Sequence, residues 1–239
     1  MPLVAAGDDV GAQLVRAARE QSLQILDRDI VVVAQKIVSK SEGRVVDLRT
    51  VQPSTLANTI ARSTGKDANH VELILRETAS IVRMREAHMI VETRHGFICA
   101  NAGVDRSNAG NSAMAVLLPI DPDRSASKLR KRIRELTGAD VAVIISDTFG
   151  RAWRNGQVNV AIGLDGLDPI ADYRGTKDMF GLQLNVTQIA IADELASAAE
   201  LVMKKSDGIP VAIIRGVDYG KGSDSIRKLI RPKEEDLFR

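Results

Sequence analysis

Residues 126–151 read ASKLRKRIRELTGADVAVIISDTFGR, a helical pattern followed by an apolar run of strand length. Within the helix, Ala126–Leu136, Leu129 and Ile133 fall on one face at i, i+4 spacing. The basic run Lys128–Arg134 (KLRKRIR) then forms the opposite, solvated face. Val141–Ile145 (VAVII) is continuously apolar, as expected of a strand buried on both sides. Outward from this unit, helices and short strands alternate. Asp8 or Asp9 caps a helix over about Val10–Gln21, with Val10, Leu14, Val15 and Ala18 on one face. Ile30–Ala34 (IVVVA) reads as a strand and Val45–Leu48 as a return strand. Pro53-Ser54 starts a helix, and a second helical pattern spans about His70–Thr78. Met89–Glu92 and Phe97–Ala100, separated by Arg94-His95-Gly96, read as a hairpin. A strand at Ala115–Leu118 is stopped by Pro119 and Pro122. Residues 147–182 carry few periodic signals, after which Ile191–Met203 is helical and Val211–Ile214 extended. The expected architecture is α+β: two interwoven lobes with mixed or antiparallel sheets and flanking helices. One lobe takes about residues 1–80 plus 190–239, the other about 81–189.

Composition narrows the function. Across 239 residues, 33 Lys+Arg oppose 31 Asp+Glu, a formal net charge of +2. Such a balance does not favour nucleic acid, and an aromatic fraction of 3% removes the stacking platforms of single-strand readers. One cysteine, Cys99, excludes a disulfide framework and a cysteine-rich zinc site. Three scattered histidines (His70, His88, His95) do not form a ligand cluster. The chain has no long apolar run of membrane length, and MPLVAAGDDV lacks the basic and apolar regions of a secretion signal. It reads as a soluble, cytoplasmic protein with no membrane partner.

Three stretches could carry chemistry. Asp147 and Thr148 follow the apolar run 141–145, with Arg151 and Arg154 nearby. A carboxylate beside a hydroxyl offers hard oxygens that suit Mg²⁺ or Mn²⁺ together with phosphate oxygens. The same Asp is equally read as capping the turn after a strand. Asp105 lies in NAGVDRSN (101–108), a metal or sugar loop, or a loop of Asx-turns. Lys36, Lys40 and Arg44 gather positive charge in QKIVSKSEGR (35–44), where a strand entering a turn could hold phosphates or form an ordinary solvated hairpin. Gly216–Lys221 (GVDYGK) is not a phosphate-binding P-loop: it has three residues between its glycines and Gly222 after the lysine. Cys99 reads as a small core side chain, and Trp153 as packing over the site or anchoring its loop.

Taken in order, AQKIVSKSEGR, ETRHGFICANAGVDRSN, ISDTFGRAWRNGQ, VAIG and DGIPVAIIRG resemble the coenzyme F420-0:L-glutamate ligase family, from about Pro2 to Arg239. The chain is similar to its stand-alone form. The resemblance implies a GTP-dependent ligase that joins L-glutamate to coenzyme F420-0 through an acyl phosphate, giving F420-1, GDP and phosphate, with a further γ-linked glutamate as an option. It implies Mg²⁺ or Mn²⁺, two per site, with K⁺ as a further cation, and an intertwined homodimer. Phosphoryl transfer of this kind needs positioning and charge neutralisation rather than a covalent nucleophile. That agrees with the lack of any Ser/His or Cys/His arrangement.

Carried over by residue, the resemblance puts metal ligation on Asp105, Asp147 and Thr148, the two acids being the catalytic pair. It puts GTP contacts on Pro2, Leu3, Val4, Gln35, Lys36, Lys40, Asn108, Met203, Lys205, Ser206, Asp207 and Gly208. Some members hold a second metal with a glutamate where this chain has Lys205, and a protonated lysine cannot ligate a metal. Asp207 substitutes, or the metal is held differently, or Lys205 itself touches phosphate. Two other readings remain open: an amide ligase for a different carboxylate acceptor, and a nucleotide-binding protein without turnover.

Overall fold

The computed structural model describes residues 1–110, 113–222 and 224–237, so Phe238 and Arg239, where the family resemblance ends, lie outside it. Helix α1 (Val10–Glu20) begins where Asp9 accepts the Ala12 N–H at 2.9 Å, and it buries Val10, Leu14, Val15 and Ala18. Strand β1 (Ile30–Ala34) runs directly into helix α2 (Gln35–Ser41), followed by β2 (Val45–Asp47). Helices α3 (Thr55–Thr64) and α4 (Ala68–Glu77) are capped by Ser54 and Asp67. Strands β3 (Thr78–Arg85), β4 (His88–Thr93) and β5 (Ile98–Ala100) form an antiparallel sheet. After β6 (Met114–Val116), helix α5 (Pro122–Thr137) starts at the Asp121 cap with Pro122 in its first turn. A long hairpin, β7 (Ala142–Arg151) and β8 (Arg154–Asp165), follows. The short ribbon β9 (Ala171–Asp172) and β10 (Gln188–Ile189), helix α6 (Ile191–Met203) and β11 (Val211–Ile214) complete the order.

The mixture of helices with mixed and antiparallel sheets makes this an α+β fold. Its main sheet has the order β11-β1-β7-β8, with β1 parallel to β7 and the outer pairs antiparallel. Ile30–Val33 and Ala142–Ile145 are wholly inaccessible to solvent, which is why both read as unbroken apolar runs. Helix α5 packs on β7 and β8 through Ala126, Leu129 and Ile133, and α6 packs on β8 and β11. A second cluster of buried side chains joins α3, α4, β4 and β6 through Ile60, Val71, Ile74, Met89, Val91 and Ala115. Buried residues 10–38 share the first cluster with residues from 118 onward, whereas residues 48–91 and 102–117 build most of the second. The parallel β1–β7 pair joins segments more than a hundred residues apart. Among the described residues no helix is long and apolar enough to cross a membrane.

Several elements depart from the sequence reading. Residues 35–41 are helical rather than a strand and turn, so Lys36 and Lys40 share a helix face. Arg44 leaves that face to pair with Glu77 at 2.8 Å and the Leu118 carbonyl. Strand β3 was not expected: most of its side chains are exposed, so it carries no apolar alternation, and its pairing to β4 shifts register twice. Asp147 lies inside β7 rather than beyond its end, because the β7–β8 ladder continues past the apolar run to a turn at residues 152–153. Trp153 stands at that turn with φ 63° and 86% exposed.

At Gly163 of β8, a Cβ atom would come within 2.4 Å of the Pro122 backbone, so the first turn of α5 crosses directly over this glycine. Gly163→Ala is therefore expected to destabilise the fold by about 1–3 kcal/mol in urea unfolding. Gly150→Ala, which meets nothing within 4 Å, should stay within about 0.5 kcal/mol of the parent. Equal effects of the two would contradict the close approach.

Candidate active site

Parallel pairing sets the site. Ala34 is in register with Ser146, so Gln35-Lys36, where the chain enters α2, and Asp147-Thr148, further along β7, come side by side at one edge of the parallel pair. A cleft of about 1290 Å³ opens there. Its walls include the N-terminal segment at Pro2, Leu3 and Val4, and the start of α2 at Gln35, Lys36 and Lys40. The loop with Asp105 and Asn108, Asp147 and Thr148 of β7, and Met203, Lys205, Ser206 and Gly208 after α6 complete it. Asp207 is absent from these walls; it pairs with Lys204 at 3.0 Å.

Asp105 is held rigidly. Its backbone exchanges hydrogen bonds of 3.0 and 2.8 Å with Val116. Before it, Asn101, Ala102 and Gly103 all have positive φ, a costly turn for two non-glycine residues. Lys66 braces that turn by donating to Asn101 Oδ1 at 3.0 Å, and Leu118 packs so close to Gly103 that no Cβ fits. The carboxylate accepts from Lys36 Nζ at 2.6 Å, from the Ser107 N–H at 2.7 Å and from Ser107 Oγ at 2.9 Å. Lys40 Nζ donates to the Asn108 carbonyl at 2.7 Å. Across the cleft, Lys205 Nζ donates to Thr148 Oγ1 and to Asn159 Oδ1, and lies 3.6 Å from Glu200 Oε1.

The two carboxyls therefore differ electrically. Burial pushes Asp105 up, but Lys36 and Ser107 outweigh it and hold the group below the usual carboxylate range. Asp147 is pushed up to about 6, chiefly by burial at the base of the cleft, with the Asp105 charge adding to it and the Thr148 N–H, Lys36 and Lys205 opposing. Its side chain is partly buried and lines the cleft. Burial, with the charge of Asp147 adding to it, also raises the Cys99 thiol to about 12, so this core cysteine is an inert thiol. Burial and the Lys36 charge lower Lys40.

Among the described residues no three His, Cys, Asp or Glu side chains converge. The donor set is two carboxylates and the Thr148 hydroxyl, which fits an Mg²⁺-type ion that completes its shell with phosphate oxygens and water. Two further wall atoms lack partners: Ser146 Oγ, and Gln35 Nε2, whose amide is oriented by the Ser39 hydroxyl on Oε1. Buried polar atoms are rarely left unpaired, so these are places for a ligand's hydrogen bonds. Asn159 was missed by the sequence reading. It stands opposite Thr148 in the ladder, and the alternation of VNVAI after NGQ was the available signal.

Fold and cleft define a class: an α+β protein whose cleft, at the edge of the main sheet, is lined by two carboxylates and several lysines. The chain belongs to the F420-0:Gamma-glutamyl ligase family, whose profile matches residues 1–216. It is 48% identical over 242 residues to the Coenzyme F420:L-glutamate ligase of Methanothermobacter thermautotrophicus, covering 100% of this chain and 96% of that protein. The protein of that name from Methanocaldococcus jannaschii is 50% identical over 216 residues, 90% of this chain and 86% of its own. That from Methanopyrus kandleri is 47% identical over 238 residues, 98% and 92%.

A carboxyl whose folded pKa exceeds its unfolded value near 3.8 withdraws stability as pH rises from that value to about 6. Asp147→Asn should therefore melt with the parent below about pH 4. Above pH 6, without divalent ions, it should be more stable, by on the order of 2–3 kcal/mol. Thermal melts across pH check this; a variant less stable than the parent at pH 8 would contradict the buried charge.

Proposed function

We propose that this protein is a GTP-dependent ligase that forms an amide between coenzyme F420-0 and the amine of L-glutamate. The observation that carries the reading is the cleft itself: in a chain of this family, Asp105, Asp147, Lys36, Lys40 and Lys205 all face one space. Membership supports the substrates; the lysines support a triphosphate. In the proposed reaction, a carboxylate oxygen of F420-0 attacks the γ-phosphorus of GTP and the bond to the β-phosphate oxygen breaks, releasing GDP. The glutamate nitrogen then attacks the acyl carbon, phosphate leaves with the bonding pair, and the nitrogen loses a proton to solvent.

The residues serve this chemistry by holding and neutralising charge. Lys36 and Lys40, one turn apart on α2, face the phosphates, and Gln35 Nε2 offers a directed donor beside them. Asp105 and Asp147, with Thr148, would hold Mg²⁺ or Mn²⁺. Such an ion, when bound, neutralises charge on the transferring phosphoryl group. The rigid turn before Asp105 and the ladder around Asp147 keep both carboxyls fixed, so little reorganisation accompanies reaction. We place the enzyme in the cytoplasm as a homodimer, following the family resemblance.

Phosphate release from GTP is expected to require both F420-0 and L-glutamate. Asp105→Asn should lower it on the order of 10²-fold or more while keeping the parent's circular dichroism. Release with a different carboxylate acceptor instead of F420-0 would redirect the substrate, and GTP binding without release would leave a non-catalytic nucleotide-binding protein.

A further inference from the structure

Two of the oxygen groups that could hold a cation in the cleft, Asp105 and Thr148, already have a lysine on them, but the two lysines are placed differently. Lys36 bridges Asp105 and Ser107 from the first turn of α2. Lys205 follows a backbone distortion. Lys204, the residue ending α6, adopts φ 51° and ψ −168°, a conformation nearly confined to glycine. Lys204 pairs with Asp207, and Lys205, the next residue, reaches Thr148 and Asn159 in the cleft. There the ammonium donates to Thr148 Oγ1 and Asn159 Oδ1 and lies 3.6 Å from the Glu200 carboxylate. Asn159 is itself buried and fixed by Thr148 Oγ1 at 2.8 Å.

We propose that Lys205 is a resident cation of the active site, standing where a second divalent ion would otherwise sit, so that each site takes one divalent ion. The inference rests on the metal-dependent reading above and narrows it. Thr148 Oγ1 receives an ammonium proton, and a second divalent ion drawn to that oxygen would lie against a like charge. Of the three oxygen groups named above, Asp105 and Asp147 then remain for a single ion while Thr148 goes to the ammonium, and Lys36 is free to move to a phosphate. An ammonium held by Thr148 and Asn159 supplies positive charge to the cleft without an ion having to be captured, and it cannot be removed by a chelator.

Equilibrium dialysis against Mn²⁺ with a non-hydrolysable GTP analogue counts the ions bound per chain. The parent is expected to hold one. Lys205→Glu, which replaces the ammonium by a carboxylate among Thr148 and Asn159, should hold two. Lys205→Met keeps the stem and removes the charge; it should hold one ion several-fold more tightly, and it decides the matter if the Glu variant does not fold. Two ions in the parent, one ion in folded Lys205→Glu, or unchanged affinity in Lys205→Met would each overturn the inference. No bound ion in the parent would overturn the metal-dependent reading itself, a distinct outcome that takes this inference with it.

Discussion

The register of β1 against β7 is the constraint on which the site depends. Ile30–Ala34 and Ala142–Ser146 run side by side in parallel, wholly buried except at the exit edge. Open sheets with parallel strands place ligands at the carboxyl ends of those strands, where the chain must leave and diverge. Here one exit becomes α2 with Lys36 and Lys40, while the other continues as β7 into the hairpin that carries Asp147 and Thr148. A slip of one residue would send alternate side chains to the opposite face, separating Lys36 from Asp147. Burial of the two strands resists such a slip, so the apolar core and the charged cleft are parts of one arrangement.

Around that edge the charges are compensated unequally. Asp105 has an ammonium, a backbone N–H and a hydroxyl. Asp147 has lysines within electrostatic reach and the Thr148 N–H, but burial outweighs them. An under-compensated carboxyl is destabilising in the free protein and favours the arrival of a cation. This is the usual trade at functional sites, where local stability is given up for a group held in a reactive state. The strained turn at Asn101-Ala102 is braced by Lys66 on Asn101 and by Leu118 packed against Gly103.

Much of this fold is legible in the sequence where burial writes a pattern. Ile30–Ala34, Ile191–Met203 and Val211–Ile214 match their elements residue for residue, because continuous apolar runs and an amphipathic helix declare themselves. Strand β3 and the outer half of the β7–β8 hairpin were illegible: both are held mainly by backbone pairing, and their side chains face solvent or the cleft. The start of α2 misled because QKIVSKS follows a β-branched run without a capping side chain. At the site, Asp105 could be singled out as an acid in a polar loop and Asp147 as an acid at the end of an apolar run. Nothing in their spacing says that Lys36 binds one of them, or that Asn159 stands beside the other. Those contacts depend on strand pairing across long separations, which no local pattern encodes.

The central claim is that Asp147 is the carboxyl left short of positive charge. Direct titration of its side-chain carboxyl carbon by ¹³C NMR, with Mg²⁺ absent and then present, tests it most plainly. The account predicts a midpoint near about 6 in the ion-free protein, falling below about 4 once Mg²⁺ is bound. An ordinary midpoint below about 4 without the ion, unmoved by adding it, would contradict it.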